Sequence, residues 1–89
     1  MIRRRVVVHG RVQGVFFRDS CRREAVREGV GGWVRNRVDG TVEAVFEGDA
    51  AAVEQLTRWC QDGPPHAEVD RVEAIDESPQ GEVDTFEVR

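Results

Sequence analysis

The sequence predicts an α+β sandwich of ferredoxin-like topology, βαββαβ: one antiparallel sheet, both helices on a single face, and a short extra C-terminal strand. Two observations carry this. Segments of alternating apolar residues and segments of helical apolar spacing follow one another in the order strand, helix, strand, strand, helix, strand. The chain has 89 residues, 39% of them hydrophobic and 34% charged, which suits one domain, residues 1–89, with a single modest core.

Each element has its own local reason. Arg5 to Arg11 reads as a strand with Val6 and Val8 on one face and Val7 and His9 on the other. Asp19 to Glu28 reads as a helix whose apolar side is Cys21, Ala25 and Val26, stopped by Gly29. Trp33 to Arg37 is a short strand, Asp39-Gly40 a hairpin turn, and Thr41 to Glu47 a strand with Val42, Ala44 and Phe46 on one face. Gly48 breaks that strand, and Asp49 caps a helix over Ala50 to Gln61 that carries Val53, Leu56, Trp59 and Cys60 as a core stripe. Gly63-Pro64-Pro65 ends the helix. Val69 to Asp76 is a strand with Val72 and Ala74 facing inward; Ser78 to Glu82 is a polar turn and Thr85 to Val88 the terminal strand.

In this topology the helices run antiparallel, so Cys21 and Cys60 fall at the same end of the helical layer. A disulfide needs Cα atoms within about 7 Å, and helix axes usually sit ~8–10 Å apart, so the expectation is two neighbouring thiols. Their spacing is not that of a metal site, and His9 and His66 add too little, so no metal is expected. His66 follows two prolines and reads as a solvent-facing loop residue.

The net charge of −4 divides unevenly: residues 1–30 sum to +5 and residues 31–89 to −9. All thirteen basic residues are arginine. So acidic a remainder excludes nucleic acid as a partner. Arg3, Arg4 and Arg5 read as solvated charges at a strand end. No run approaches the roughly 20 apolar residues of a membrane span, and Met1 to Arg5 is not followed by a signal-peptide core, so a cytoplasmic location and no membrane partner are expected.

One stretch carries chemistry: Gly10-Arg11-Val12-Gln13-Gly14-Val15-Phe16-Phe17-Arg18, between the first strand and the first helix. Glycine permits backbone conformations that let successive N–H groups converge on an anion. The start of the helix adds unpaired N–H donors and the positive end of its dipole. Arg18 offers a planar fork of donors suited to phosphate oxygens. One of Phe16 and Phe17, or both, would pack the loop against the core. Asn36, the only asparagine of the chain, ends a strand running in the same direction as the first, and so lies at the same sheet edge as the loop. Trp33 and Thr41 read as supports for its segment, and Arg11 and Arg22 as charges that tune the local potential.

The loop, together with Gly32-Trp33-Val34-Arg35-Asn36-Arg37-Val38-Asp39-Gly40-Thr41-Val42, closely resembles the signature regions of the acylphosphatases. The first segment follows that family's G-x-V-Q-G-V-x-F-R pattern and the second its G-W-V-x-N-x-x-x-G-x-V pattern at every fixed position. The likeness extends to Gly63-Pro64-Pro65 and to Phe86-Glu87-Val88-Arg89. It implies hydrolysis of carboxyl-phosphate anhydrides by direct water attack, with no cofactor and no metal. By resemblance, Arg18 and the main chain of Gln13, Gly14, Val15, Phe16, Phe17 and Arg18 hold the phosphoryl group, and Asn36 orients the water. His9 falls at a position the pattern leaves variable.

Physical chemistry explains why so little machinery suffices. The leaving carboxylate has a conjugate-acid pKa near about 4–5 and departs unprotonated, so the protein mainly positions groups and stabilises charge. The expected partner is a small-molecule acyl phosphate, and the expected state a monomer. Two other readings use the same fold: a non-enzymatic anion-sensing or regulatory module, and a domain of a larger carbamoyl-transfer protein. The loop facing Asn36 speaks against the first, and the chain closing after a complete terminal strand against the second.

Overall fold

The computed structural model describes residues 1–89. The elements are β1 (Ile2–Arg11), α1 (Phe17–Glu28), β2 (Gly31–Asn36), β3 (Val42–Gly48), α2 (Ala50–Asp62), β4 (Glu68–Glu77) and β5 (Phe86–Val88). They form one sheet in the order β4-β1-β3-β2-β5, with β1 interior between β4 and β3. The first four strands pair antiparallel, as the ferredoxin-like reading requires. β5 instead runs parallel to β2, with Gly32 opposite Phe86 and Val34 opposite Val88, so the sheet is mixed. A strand of three residues carries too little pattern to reveal its direction.

The core forms where the helices cover the sheet. Val6 and Val8 from β1, Val34 from β2, and Val42, Ala44 and Phe46 from β3 meet Phe17, Cys21 and Ala25 of α1 and Val53, Leu56 and Cys60 of α2. Cys21 and Cys60 are buried free thiols. Burial pushes the Cys21 thiol well above its ordinary pKa, and its hydrogen bond with Cys60 adds to that shift. One inward assignment is overturned. Val26 is 57% exposed on the outer side of α1. Val72 and Ala74 do share the inward side, opposite the buried Val8 and Val6, but the helices cover the edge strand β4 incompletely, so Val72 is half-buried and Ala74 exposed.

The largest departure from the sequence reading concerns the arginines of β1. The strand starts at Ile2, not Arg5, because Arg3, Arg4 and Arg5 lie in register with Glu47, Phe46 and Val45 of β3 and with Glu77, Asp76 and Ile75 of β4. Arg3 is 5% exposed and donates to Glu47 at 2.9 Å, to Glu77 at 3.1 Å and to Glu82 at 3.2 Å. Arg4 donates to Asp76 and to Glu54, each at 2.7 Å, and Arg5 pairs with Glu43 and Glu77. These are partnered groups, not solvated strand-end charges. The positive excess of the first thirty residues is therefore largely neutralised across the sheet by the acidic remainder.

Glu47, 1% exposed, is the hub of this layer. Burial pushes its carboxyl up, but N–H groups of Gln80 and Gly81 and the Arg3 guanidinium outweigh burial and hold it below the usual carboxylate range. A carboxyl whose folded pKa is depressed stabilises the fold above its unfolded pKa of about 4.3, and that stability is lost as pH falls through the folded value. Glu47→Ala is expected to lower unfolding stability at pH 7 by about 3 kcal/mol, as for a broken buried ion pair. It should also flatten the acid limb of a urea-unfolding series. An unchanged acid limb would show that Glu47 does not supply it.

Candidate active site

The loop that leaves β1 is shaped by its backbone. At Gly10, where the pairing of β1 with β4 shifts register, φ is +128°, and a Cβ would stand 2.2 Å from the Glu68 main-chain oxygen. Gly14 turns through φ +75° with open space around it. Phe16, with φ 64°, is the one non-glycine residue at positive φ, and it precedes the first turn of α1. Such a conformation costs of order 1 kcal/mol or more and persists only where the surroundings enforce it. Val12 and Val15, 1% and 5% exposed, pin the loop from below. Phe17 is buried against Trp59, ring centroids 5.2 Å apart, and α1 begins with it rather than at Asp19. Phe17 is thus the anchor, while Phe16 stands 75% exposed.

The result is a row of unused donors. No main-chain N–H from Gln13 to Asp19 donates to an acceptor in the protein. Positive φ at positions 14 and 16 and the start of a helix are the conditions under which such groups make an anion site. Beside them lies a cleft of about 410 Å³ lined by Gly14, Phe16, Phe17, Arg18, Asp19, Asn36 and Val88. Arg18 and Asn36, eighteen residues apart in sequence, thus meet in one cleft.

Each is held differently. Arg18 Nη1 donates to the main-chain oxygen of Arg89 at 3.2 Å, which steadies the guanidinium beside the loop. Asn36 ends β2 opposite Val42, and its side chain makes no hydrogen bond within the protein. The turn beyond it is closed by Arg37 N–H donating to the Thr41 oxygen at 2.9 Å. The Thr41 hydroxyl and N–H both donate to Asp39, holding that carboxyl below its ordinary value. Thr41 does support the Asn36 segment, then, by fastening its turn. Trp33 lies on the opposite face of β2, under the guanidinium groups of Arg35 and Arg89.

Several residues of the site escaped sequence reasoning. Val88 and Asp19 line the cleft, and the Asp19 carboxylate is already engaged by Arg23 at 2.9 Å. Gln13, read as a main-chain contributor, uses its side chain as well: Nε2 donates to the oxygens of Arg37 at 2.7 Å and Thr41 at 3.0 Å. One amide group therefore ties the loop to the turn that follows Asn36. No local pattern could have revealed this, since the acceptors are main-chain oxygens 24 and 28 residues away.

A loop of free amides, an arginine and an unengaged amide side chain thus gather at one small cleft on a ferredoxin-like scaffold, an arrangement suited to a compact oxyanion. The comparisons agree on one family. The acylphosphatase family model matches residues 4–88. An acylphosphatase of Rubrobacter xylanophilus is 64% identical over 85 residues, covering 96% of this chain and 77% of that protein. The crystal structure of acylphosphatase from Bacillus subtilis superposes with a TM-score of 0.95 at 32% identity, covering 100% of this chain and 99% of that one. An acylphosphatase structure from Coxiella burnetii gives 0.93 at 40% identity, covering 99% and 92%. The chain belongs to the acylphosphatase family, and its activity is the hydrolysis of acyl phosphates.

The bridge made by Gln13 then has a measurable consequence. Gln13→Leu is expected to lower kcat on benzoyl phosphate by about tenfold or more, since small misplacements of reacting groups cost up to roughly 10²-fold. A kcat within twofold of wild type would show that the two bonds do not position the site.

Proposed function

We propose that the enzyme, a single domain over residues 1–89, hydrolyses the anhydride by in-line attack of water on phosphorus, with Arg18 and Asn36 in separate catalytic roles. The observation that carries this reading is their convergence with the unpaired amides of Gln13 to Phe17 beside one cleft. The amides of Gln13, Gly14, Val15, Phe16, Phe17 and Arg18 and the Arg18 fork hold the phosphoryl oxygens and absorb the charge that spreads over them in a loose transition state. The free Asn36 amide holds the water. The water's oxygen forms the new P–O bond as the bond from phosphorus to the acyl oxygen breaks. The bonding pair leaves with the carboxylate, and the water's proton passes to solvent.

Neither metal nor cofactor enters this scheme. The leaving group needs no protonation, and the donors around the phosphoryl group supply the positive field that metal ions provide elsewhere. The partner is a small-molecule acyl phosphate. Nucleic acid fits poorly with an outer sheet face on which Arg3, Arg5 and Arg35 are each paired with a carboxylate. A monomer in the cytoplasm accords with that charge-paired face and with two reduced thiols.

The test is hydrolysis of benzoyl phosphate in ¹⁸O-labelled water with EDTA present. Full activity with label only in phosphate is expected. Label in benzoate would overturn attack at phosphorus, and loss of activity on chelation would overturn the metal-free scheme.

A further inference from the structure

The phosphate cleft contains a charge of the wrong sign. Asp19 is the one acidic residue among those lining it, and it follows directly on Arg18. Nothing in the attack of water on phosphorus calls for it. A carboxylate there opposes the anion that the loop holds, whether that anion is the phosphoryl group of the substrate or the phosphate product.

Its place in the helix sharpens the conflict. With Phe16 as the N-cap of α1, Asp19 is the third residue of the first turn. An acidic side chain at this position can reach back to the unpaired N–H groups at its own helix start, where the dipole also favours it. Phe16 supplies no side-chain cap, so those groups have no other claimant in the protein. The Asp19 carboxylate nevertheless leaves them free. It accepts from Arg23 Nη2 at 2.9 Å, one turn further along α1, and no main-chain N–H of the loop donates to it. The Asp19 and Arg23 side chains are 63% and 71% exposed, so this hold is that of a surface ion pair, weak and readily screened.

We propose that Asp19 sets the affinity of the site for phosphoryl groups, as an internal competitor for the helix-start amides and the Arg18 charge, and that Arg23 keeps it withdrawn. The inference rests on the loop being the phosphoryl site, as argued above. The consequence is a site that holds inorganic phosphate loosely, since product and substrate present the same group to the loop. Arg23 acts here as a positioning residue, through the carboxylate alone.

The experiment measures the inhibition constant of inorganic phosphate against benzoyl phosphate at pH 7 and low ionic strength. Asp19→Asn, nearly isosteric, is expected to tighten phosphate by about fivefold, the order that removing one nearby like charge produces through water. Arg23→Gln should weaken phosphate by about twofold, the scale of an exposed ion pair at that helical spacing. Added to Asp19→Asn it should have no effect, because no carboxylate is left to release. Glu28→Gln removes an equal charge from the far end of α1 and should leave the constant at its wild-type value. Since an acidic residue in the first turn favours the helix dipole, Asp19→Asn should also lower the unfolding midpoint slightly. Stability and affinity then move in opposite directions, which a merely structural role for Asp19 does not produce. A constant unchanged or raised in Asp19→Asn, an equal gain in Glu28→Gln, or an Arg23→Gln effect that is the same with and without Asp19 would overturn the proposal. So would a gain undiminished at about 1 M salt, where exposed charges are screened beyond about 3 Å. A wild type free of phosphate inhibition would overturn the loop as the anion site and this proposal with it, whereas inhibition that Asp19→Asn leaves unaltered overturns the proposal alone.

Discussion

Arg18→Ala is expected to lower kcat/KM for benzoyl phosphate by on the order of 10³-fold or more, roughly 4 kcal/mol of transition-state stabilisation, and to abolish competitive inhibition by inorganic phosphate. The guanidinium is the one formal positive charge lining the phosphate cleft. The amides around it carry only partial charges, so they cannot replace it. Its hydrogen bond to the Arg89 main-chain oxygen fixes its position before substrate arrives. Arg18→Lys should recover only part of the loss, since an ammonium cannot span two phosphoryl oxygens with a rigid fork. Retained phosphate inhibition in Arg18→Ala would show that the loop alone binds the anion.

Asn36→Ala should separate the two roles. We expect kcat to fall by about 10²- to 10³-fold, the usual cost of removing one well-placed polar group from a transition state, while the inhibition constant of phosphate stays within about threefold of wild type. The side chain has no protein partner to lose, so the thermal unfolding midpoint should also stay near the wild-type value. A variant that lost phosphate affinity as well would place Asn36 among the anion-binding groups. Together the two substitutions distinguish loss of binding from loss of an attacking water.

How much of this was readable beforehand follows from the range of the interactions. The turns at Gly10 and Gly14 and a helix following the loop are local features, because a backbone turn answers to the residues within it, although the helix starts two residues earlier than its pattern indicated. The alternation of Val42, Ala44 and Phe46 placed the helix-facing side of β3 correctly for the same reason, pleating being a property of successive residues, but it did not show that Glu43, Val45 and Glu47 on the other side are buried too. The likeness of the two signature segments added the expected roles of Arg18 and Asn36, which residue chemistry alone left as an anion loop and a nearby amide.

The arginines of β1 were misjudged for the opposite reason. Whether Arg3 is solvated depends on Glu47, Glu77 and Glu82, which lie 44, 74 and 79 residues away. The side chain of Gln13 was assigned too little, since its acceptors belong to a turn that only the sheet brings near. The direction of β5 was hidden as well, since it joins β2 in a sense its three residues do not encode.

By itself, then, the sequence determined the order of the elements, the helix-facing side of the central strands, and the loop and sheet edge that bring Arg18 and Asn36 to one cleft. Each of these depends on residues a few positions apart or on two contiguous segments. Only the tertiary structure decided that Arg3 is a buried ion-pair partner and that Gln13 ties the loop to the turn after Asn36. Those outcomes depend on strand register and on the pairing of charges across the sheet, where a carboxylate from one end of the chain determines whether an arginine at the other end meets water or protein.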